Sequence, residues 1–155
     1  MKRISNLGRI PRKYVDDPDF QTMLKTVMVG ASVGCEKLYV NIDFVKPGGK
    51  SAKYHSHTKQ EEFFLILGGS GILRMDGEET PVGVGDVISK PAGKEIAHQF
   101  INNGREVLRI LDVGTREKGD VAVYPDENVT YLRDPKWAFD IGGRIPGWIT
   151  DPNEP

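Results

Sequence analysis

Several features that would mark particular classes of protein are scarce or absent in this sequence. The chain of 155 residues has one cysteine, Cys35, so it forms no internal disulfide, and we interpret Cys35 as a small buried hydrophobe. There is no run of about 18 apolar residues, and the N-terminal segment MKRISNLGRIPRKY lacks the apolar core of a signal peptide. The net charge is −1, with acidic and basic residues interspersed. We therefore expect a cytoplasmic protein that binds neither nucleic acid nor membrane.

The residues that are abundant indicate a β protein. Eighteen glycines and ten prolines divide the chain into short segments that favour β-branched and aromatic residues. The segment EKLYVNIDF alternates, with its apolar residues on one face and Tyr39, Asn41 and Asp43 on the other, as in a half-buried strand. About six to eight such strands, spaced roughly 8 to 12 residues apart, predict an all-β sandwich or barrel.

A chain of this length fits a single domain, which we assign to residues 1–155. We expect a barrel core over about 28–115, an N-terminal extension over 1–27 and a C-terminal tail over 116–155. Because both extensions lack strong periodicity, we expect them to be irregular or helical apart from a strand in DVAVYPD. Three aromatic side chains of the tail are predicted to cover the outside of the barrel or a neighbouring subunit; they are Trp137, Phe139 and Trp148.

The segment KYHSHTKQEEFF contains two of the three histidines and two adjacent glutamates. His55 and His57 are two residues apart, so in a strand both imidazoles project to the same side. An imidazole pair with a carboxylate suits a divalent metal ion and leaves coordination positions open. An isolated pair of this kind is also common in solvated strand ends, so the wider pattern has to decide between the two interpretations.

That wider pattern resembles the two signatures of the cupin superfamily. The first, G-x5-H-x-H-x3/4-E-x6-G, is matched from Gly49 through both histidines, and it fits either Glu61 with Gly68 or Glu62 with Gly69. We favour Glu62, since LGGSG resembles the usual turn after this strand. The second signature, G-x5-P-x-G-x2-H-x3-N, is matched at Gly85, Pro91, Gly93, His98 and Asn102. The loop between Gly93 and His98 is two residues longer than in the signature. All three histidines thus occupy signature positions.

The resemblance implies a double-stranded β-helix, also called a jelly roll, that pairs as a homodimer. It also implies one divalent metal ion per chain, of Fe, Mn, Ni, Cu or Zn, held by His55, His57, Glu62 and His98. We expect an enzyme with dioxygenase or isomerase chemistry on a small molecule, in which Glu62 or a bound water transfers the proton. The alternative is a non-catalytic barrel that binds or senses a small molecule.

Strand parity extends the prediction to the walls of the site. If His98 and Glu62 face inward, Phe100 and Phe64 do too, and they would line a substrate pocket. Arg74 and Arg109 lie in apolar strand runs; an inward guanidinium would favour an anionic substrate, whereas the commoner outward one would be solvated. Tyr54 and Gln60 flank the predicted ligands and are candidates for hydrogen bonds to them.

Overall fold

A computed structural model of the chain describes residues 4–10, 15–17, 22–140 and 142–148. The described residues form 14 strands, a four-residue helix, α1 (Val29–Ser32), and a 3-10 turn at Leu7–Arg9. None of these helical segments is long and apolar enough to cross a membrane. The strands are β1 (Val15–Asp17), β2 (Thr22–Val27), β3 (Leu38–Val45), β4 (Ser56–His57), β5 (Glu62–Gly68), β6 (Ser70–Met75), β7 (Glu78–Gly83), β8 (Val87–Lys90), β9 (His98–Ile101), β10 (Leu108–Thr115), β11 (Val121–Tyr124), β12 (Val129–Leu132), β13 (Trp137–Asp140) and β14 (Gly143–Ile145).

The strands pair antiparallel in three sheets that build a jelly-roll barrel. The largest sheet has the order β1-β2-β3-β10-β5-β8, a second has the order β14-β13-β12-β11-β4, and a third has the order β7-β6-β9. The predicted all-β fold is therefore confirmed. A tight turn at Asp76-Gly77 joins β6 to β7, and both residues have the positive φ that such a hairpin turn requires.

Two apolar clusters hold the sheets together. The first fills one end of the barrel; its buried residues are Val45, Phe64, Ile66, Leu73, Val82, Phe100, Leu108 and Ile110. The second lies within the C-terminal sheet and consists of Ala122, Tyr124, Val129, Tyr131 and Ala138. The site described below lies between them, so each cluster fixes one part of its framework.

The alternation predicted in β3 is present, but its polar face is turned toward the interior. Tyr39, Asn41 and Asp43 line a cavity inside the barrel. On the opposite face α1 packs against the middle of the strand, where Gly30 approaches Val40 so closely that an added Cβ would lie 3.0 Å from the Val40 nitrogen, while Leu38 is exposed. An apolar face does not by itself reveal which side of a strand faces the cavity, since a helix can cover it from outside.

The extensions differ from the expectation that they are mostly irregular or helical. β2 pairs with β3, so the large sheet begins before residue 28, and the tail contains all of β11, β12, β13 and β14. Short strands without a long periodic run escape pattern analysis, and here pairing with neighbours stabilises them. Trp148 packs against the second cluster, Phe139 is half-buried and Trp137 is exposed. Cys35 is only partly buried. The expectations for residues 1–3, 11–14, 18–21, 141 and 149–155 lie outside the described residues.

Asn102, the last residue of the second signature, connects loops at one end of the barrel. Its fully buried amide donates to the carbonyl oxygens of Val45 (2.8 Å) and Glu106 (2.7 Å) and accepts from the Gly104 nitrogen (2.9 Å). We expect Asn102→Ala to lower the free energy of unfolding by about 2–4 kcal/mol, because three hydrogen bonds are lost in a buried setting. Urea unfolding followed by circular dichroism measures the loss.

The neighbouring Asn103→Ala is the matched control, because Asn103 is exposed. Its free energy of unfolding should stay within about 0.5 kcal/mol of the wild-type value. Equal losses in the two variants would contradict the structural role of Asn102.

Candidate metal centre

A pocket of about 400 Å³ opens into the barrel, and the three histidines and Glu62 are among the residues that line it. His57 ends β4 and His55 directly precedes it, Glu62 begins β5, and His98 begins β9. An antiparallel bridge brings His55 to His98, with His98 N–H donating to the His55 oxygen at 2.9 Å and His55 N–H to the His98 oxygen at 3.2 Å. The barrel therefore joins residues that the sequence separates by more than 40 positions.

The imidazoles form a compact, buried group. The ring centroid of His55 lies 4.9 Å from that of His57 and 4.9 Å from that of His98. Donor atoms of His55, Glu62 and His98 all lie within 4.8 Å of one another, a spacing that a single metal ion can bridge. His57 lies beside this set and outside it, although its Nε2 is 3.7 Å from Glu62 Oε1.

His55 is fixed by the loop that precedes it and by the C-terminal sheet. Its Nδ1 lies 2.6 Å from the backbone oxygen of Lys53, so Nδ1 carries the proton and donates. Nε2 is then the atom with a free lone pair. The ring stacks on Tyr124 of β11, with centroids 5.4 Å apart and planes 23° apart. Backbone and aromatic contacts together set the direction of this imidazole.

His57 is fixed by a carboxylate from beyond the barrel core. Its Nδ1 lies 2.6 Å from Asp120 Oδ2, and Asp120 also accepts from the backbone nitrogens of Lys59 (2.8 Å) and Gln60 (3.2 Å). Burial opposes ionisation of Asp120, but the bond from His57 and these backbone donors lower its pKa to about 2. An ionised carboxylate on Nδ1 leaves the Nε2 lone pair of His57 directed inward, near Gln60 Nε2 at 3.3 Å.

The two adjacent glutamates take opposite positions. Glu61 is exposed, and its backbone nitrogen donates to the Thr115 hydroxyl. Glu62 is 4% exposed and faces the imidazoles. Its Oε1 accepts from the Tyr39 hydroxyl (2.8 Å) and from Gln60 Nε2 (3.0 Å). Of the two carboxylates that fit the signature, Glu62 is therefore the one at the site.

A buried lysine contacts the same carboxylate. Lys90 Nζ lies 2.5 Å from Glu62 Oε2, and the Lys90 side chain is 1% exposed. The two residues are direct cross-strand partners on β8 and β5. A charged ammonium is rarely buried without a partner, so the Lys90–Glu62 ion pair belongs to the structure of the site.

The protonation states in the cluster follow from burial. Desolvation lowers the pKa of His55 and His57, and it lowers that of His98 to about 4. Burial alone would raise the pKa of Glu62, but the surrounding histidines and Lys90 hold it well below its ordinary value. Because the buried imidazoles are neutral at neutral pH, the positive charge that then faces Glu62 comes from Lys90. Neutral imidazoles and an ionised carboxylate are the forms that bind a metal ion.

The opposite wall of the pocket carries further polar groups. Tyr39 Oη lies 2.8 Å from Glu62 Oε1 and 2.9 Å from Asp112 Oδ1. Burial, with Asp43 and Glu62 nearby, raises the pKa of Asp112 well above its ordinary value. Since a hydroxyl has one proton, a protonated Asp112 completes this arrangement by donating to Tyr39 while Tyr39 donates to Glu62. Three basic residues also line the pocket: Arg116, Arg133 and Lys136.

The predicted wall residues divide into two groups. Phe64 and Phe100 are buried and line the pocket, with the Phe64 ring 4.9 Å from that of His98. Arg74 and Arg109 are absent from the lining. Arg74 donates twice to Asp126, and the exposed Arg109 donates to the Leu67 oxygen at 3.4 Å. Their placement therefore corrects the substrate-binding prediction for both arginines, because each is engaged by groups outside the pocket.

Of the two residues predicted to bond to the ligands, Gln60 and Tyr54, only Gln60 does so. Gln60 is buried and bonds to Glu62. The Tyr54 hydroxyl instead accepts from the Gly77 nitrogen at 2.9 Å, and Arg74 covers its ring. Tyr54 therefore supports the β6–β7 turn.

Four residues of the site had no place in the sequence prediction: Tyr39, Lys90, Asp112 and Asp120. Asp112 interrupts the apolar run RILDV, and Lys90 ends the strand VISK. A charged residue beside apolar neighbours can point inward or outward, as Arg74 shows, so neither position could be assigned to the site from sequence. Tyr39 shares an alternating face with two polar residues. Asp120 offers no local signal, because its partner lies 63 residues away.

The donor set fits a divalent metal ion. His98 Nδ1 is buried and has no hydrogen bond, and Glu62 Oε2 has no hydrogen bond beside its ion-pair contact with Lys90. The Nδ1 atoms of His55 and His57 already lie against oxygens. Imidazole nitrogens with one carboxylate oxygen suit Zn, Fe, Mn, Ni or Cu. His55, Glu62 and His98 could hold such an ion, and His57 Nε2 lies nearby, 3.7 Å from Glu62 Oε1.

Comparisons with known proteins agree with this architecture. The family model described as a cupin domain matches residues 42–114. An oxalate-binding protein from Thermotoga maritima is 33% identical over 67 residues, which are 43% of this chain and 54% of that protein. A polyketide synthase, CurC, from Streptomyces cyaneus is 29% identical over 93 residues, 60% of this chain and 56% of that protein. The matched segment thus spans about half the length of these curated relatives.

Solved structures extend the likeness over most of the chain. A sugar phosphate isomerase of the cupin superfamily from Silicibacter pomeroyi is 28% identical, with a TM-score of 0.73 and coverage of 90% of this chain and 88% of that one. A putative sugar phosphate isomerase from Acidithiobacillus ferrooxidans is 26% identical, with a TM-score of 0.70 and coverage of 88% and 83%. Both signatures, the jelly roll, the family match and these relatives lead to one conclusion: the chain belongs to the cupin superfamily.

Proposed function

We propose that this protein is a divalent-metal-dependent enzyme that isomerises a small phosphorylated sugar or a similar oxygen-rich anion. The observation that carries the proposal is the pocket itself, where buried neutral imidazoles and an ionised Glu62 lie beside a polar wall and three basic side chains. Likeness to two proteins named as sugar phosphate isomerases supports the substrate class. The site geometry supports the metal.

In this proposal His55, His57, Glu62 and His98 hold the ion. A metal ion bound there supplies a Lewis acid that polarises a carbonyl or hydroxyl oxygen of the substrate. Phe64 and Phe100 exclude water from the inner end of the pocket. Asn41 and Asp43 offer hydrogen bonds to substrate hydroxyls.

Other residues of the pocket would bind the negative charge of the substrate and transfer the proton of the reaction. Arg116 and Arg133 would bind a phosphate at the pocket, since guanidinium groups pair with phosphate through two hydrogen bonds. An aldose–ketose isomerisation moves one proton between neighbouring carbons and one between their oxygens, and it needs no oxidant. Glu62, Tyr39 and Asp112 form a chain of bonded oxygens that can hold and return such a proton.

A non-catalytic binding protein is the second candidate. The relative named as an oxalate-binding protein favours it, since oxalate is also a small oxygen-rich anion. Dioxygenase chemistry, which the sequence also predicted, stays a prediction; the polar wall of Tyr39, Asp43 and Asp112 favours proton transfer over it.

The metal site is tested with single substitutions. We expect His55→Ala and His98→Ala each to weaken binding of Zn²⁺ or Mn²⁺ by at least about tenfold, because each removes a ligand and outer-sphere changes alone cost that much. Competition against a chromogenic chelator measures the affinity, and elemental analysis of protein purified without chelator gives the stoichiometry.

Glu62→Gln and Glu61→Gln form a matched pair for the carboxylate. The first should weaken metal binding and the second should leave it unchanged, since Glu61 is exposed. Wild-type affinity in both histidine variants would refute the metal site.

The substrate class is tested with Arg116→Gln. Incubation of the metal-loaded protein with aldose and ketose phosphates in D2O should give interconversion and deuterium incorporation, followed by NMR. Arg116→Gln should raise KM for the phosphorylated sugar several-fold and change kcat little, because Arg116 binds the phosphate remote from the reacting carbons. Arg105→Gln is the control, since Arg105 is exposed and absent from the pocket lining.

Saturable binding of sugar phosphates or oxalate without turnover would instead favour the binding protein. Equal KM values for phosphorylated and unphosphorylated sugars would contradict the role of the basic residues.

We also propose that the chain forms a homodimer through the outer face of β5 and β8. Phe63 and Leu67 on β5 and Val87 on β8 are exposed, and register pairing brings them into one apolar patch around Leu65. β8 ends the order of its sheet, so a second copy would cover an open edge as well as the patch.

We expect Val87→Lys to convert the dimer to a monomer, because it introduces a charge into an apolar interface. Size-exclusion chromatography with light scattering measures the mass. Thr80→Lys, a change at an exposed position of β7, is the control and should remain dimeric. A monomeric wild type at micromolar concentration would contradict this interface.

A further inference from the structure

Lys90 stands apart from the residues that the cupin signatures account for. It is the last residue of β8, next to Pro91, and neither signature assigns a role to its position. Antiparallel pairing places it directly opposite Glu62, and both side chains turn inward. Lys90 is absent from the pocket lining while Glu62 is present, so the ammonium lies behind the carboxylate as seen from the pocket.

Both oxygens of Glu62 already have partners. Oε1 accepts from Tyr39 and Gln60, and Oε2 contacts the Lys90 ammonium. The same Oε2 lies 3.7 Å from His98 Nδ1, which has no hydrogen bond. A metal ion between Glu62 and His98 would therefore share this oxygen with the ammonium or displace it.

Charge gives the contact two opposite effects. Without a metal ion, the ammonium compensates a buried carboxylate that would otherwise face only neutral groups, and such an unpaired charge is strongly destabilising. With a metal ion, the ammonium and the ion repel each other at short range in a medium of low dielectric constant.

We propose that Lys90 is a resident counter-cation for Glu62 that stabilises the metal-free protein and weakens its affinity for metal ions. The inference rests on the proposed metal site and adds a regulatory element to it. The site would then exchange its ion more readily than a site with the same ligands and no lysine, while the barrel stays folded when the ion leaves.

The test uses Lys90→Met, which keeps the length of the side chain and removes its charge. Its affinity for Zn²⁺ or Mn²⁺, measured by chelator competition, should rise at least about tenfold over wild type. In EDTA its urea midpoint should fall below the wild-type midpoint. Lys90→Arg keeps the charge, so its affinity should stay closer to wild type than that of Lys90→Met. Lys94→Met, at an exposed position on the following loop, is the matched control and should change neither quantity.

A double variant covers the case in which Lys90→Met does not fold without metal. Lys90→Met combined with Glu62→Gln removes both charges, so its midpoint in EDTA should recover toward wild type. No recovery would overturn the counter-cation role.

Unchanged or weaker metal affinity in Lys90→Met, with wild-type protein that binds metal, would overturn the inference and leave the proposed function intact. Absence of metal binding in wild type and all variants would refute the proposed metal dependence and with it the effect of Lys90 on affinity. The unfolding measurements in EDTA would still decide the counter-cation role.

Discussion

The ionised carboxylate of Glu62, buried inside the barrel, is the constraint around which the site is arranged. A charge in that position needs compensation, and it receives it from a lysine on the next strand, a tyrosine on β3 and the amide of Gln60. The same burial keeps three imidazoles neutral beside it. The ion pair and the polar contacts are therefore consequences of burying one acid, whereas the imidazoles are neutral because they are themselves buried.

Spacing along the sequence predicted His55, His57 and His98, which the barrel brings together. It fitted Glu61 and Glu62 equally, and only the turn LGGSG favoured Glu62, the glutamate that is buried beside the imidazoles. The inward placement of Phe64 and Phe100 followed from strand parity. The direction of side chains outside the motif was harder to predict. In β3 the alternation was visible, but α1 packs on the apolar side at Val40, and it is the polar side with Tyr39 and Asp43 that lines the cavity. Arg74 and Arg109 lie among apolar strand residues, and their side chains point away from the pocket. Lys90 also lies in a strand, but its side chain points inward to Glu62.

Contacts between distant segments were not predictable from pattern at all. Asp120 meets His57 only because β11 pairs with β4, and that pairing depends on a C-terminal sheet of short strands. Tyr124 stacks on His55 for the same reason. Sequence patterns report local periodicity, whereas these contacts result from the closure of chain segments that lie about 60 residues apart.

The pairing of β4 with β11 also means that the groups which orient two of the histidines come from outside the family segment. The family segment, residues 42–114, contains every histidine of the centre, yet the acceptor for His57 and the ring beneath His55 lie after it. A transplant of the family segment alone into another scaffold would carry the ligands without the groups that aim them. Relatives whose chains diverge after the barrel can thus share all four motif residues and still differ in how firmly those residues are oriented.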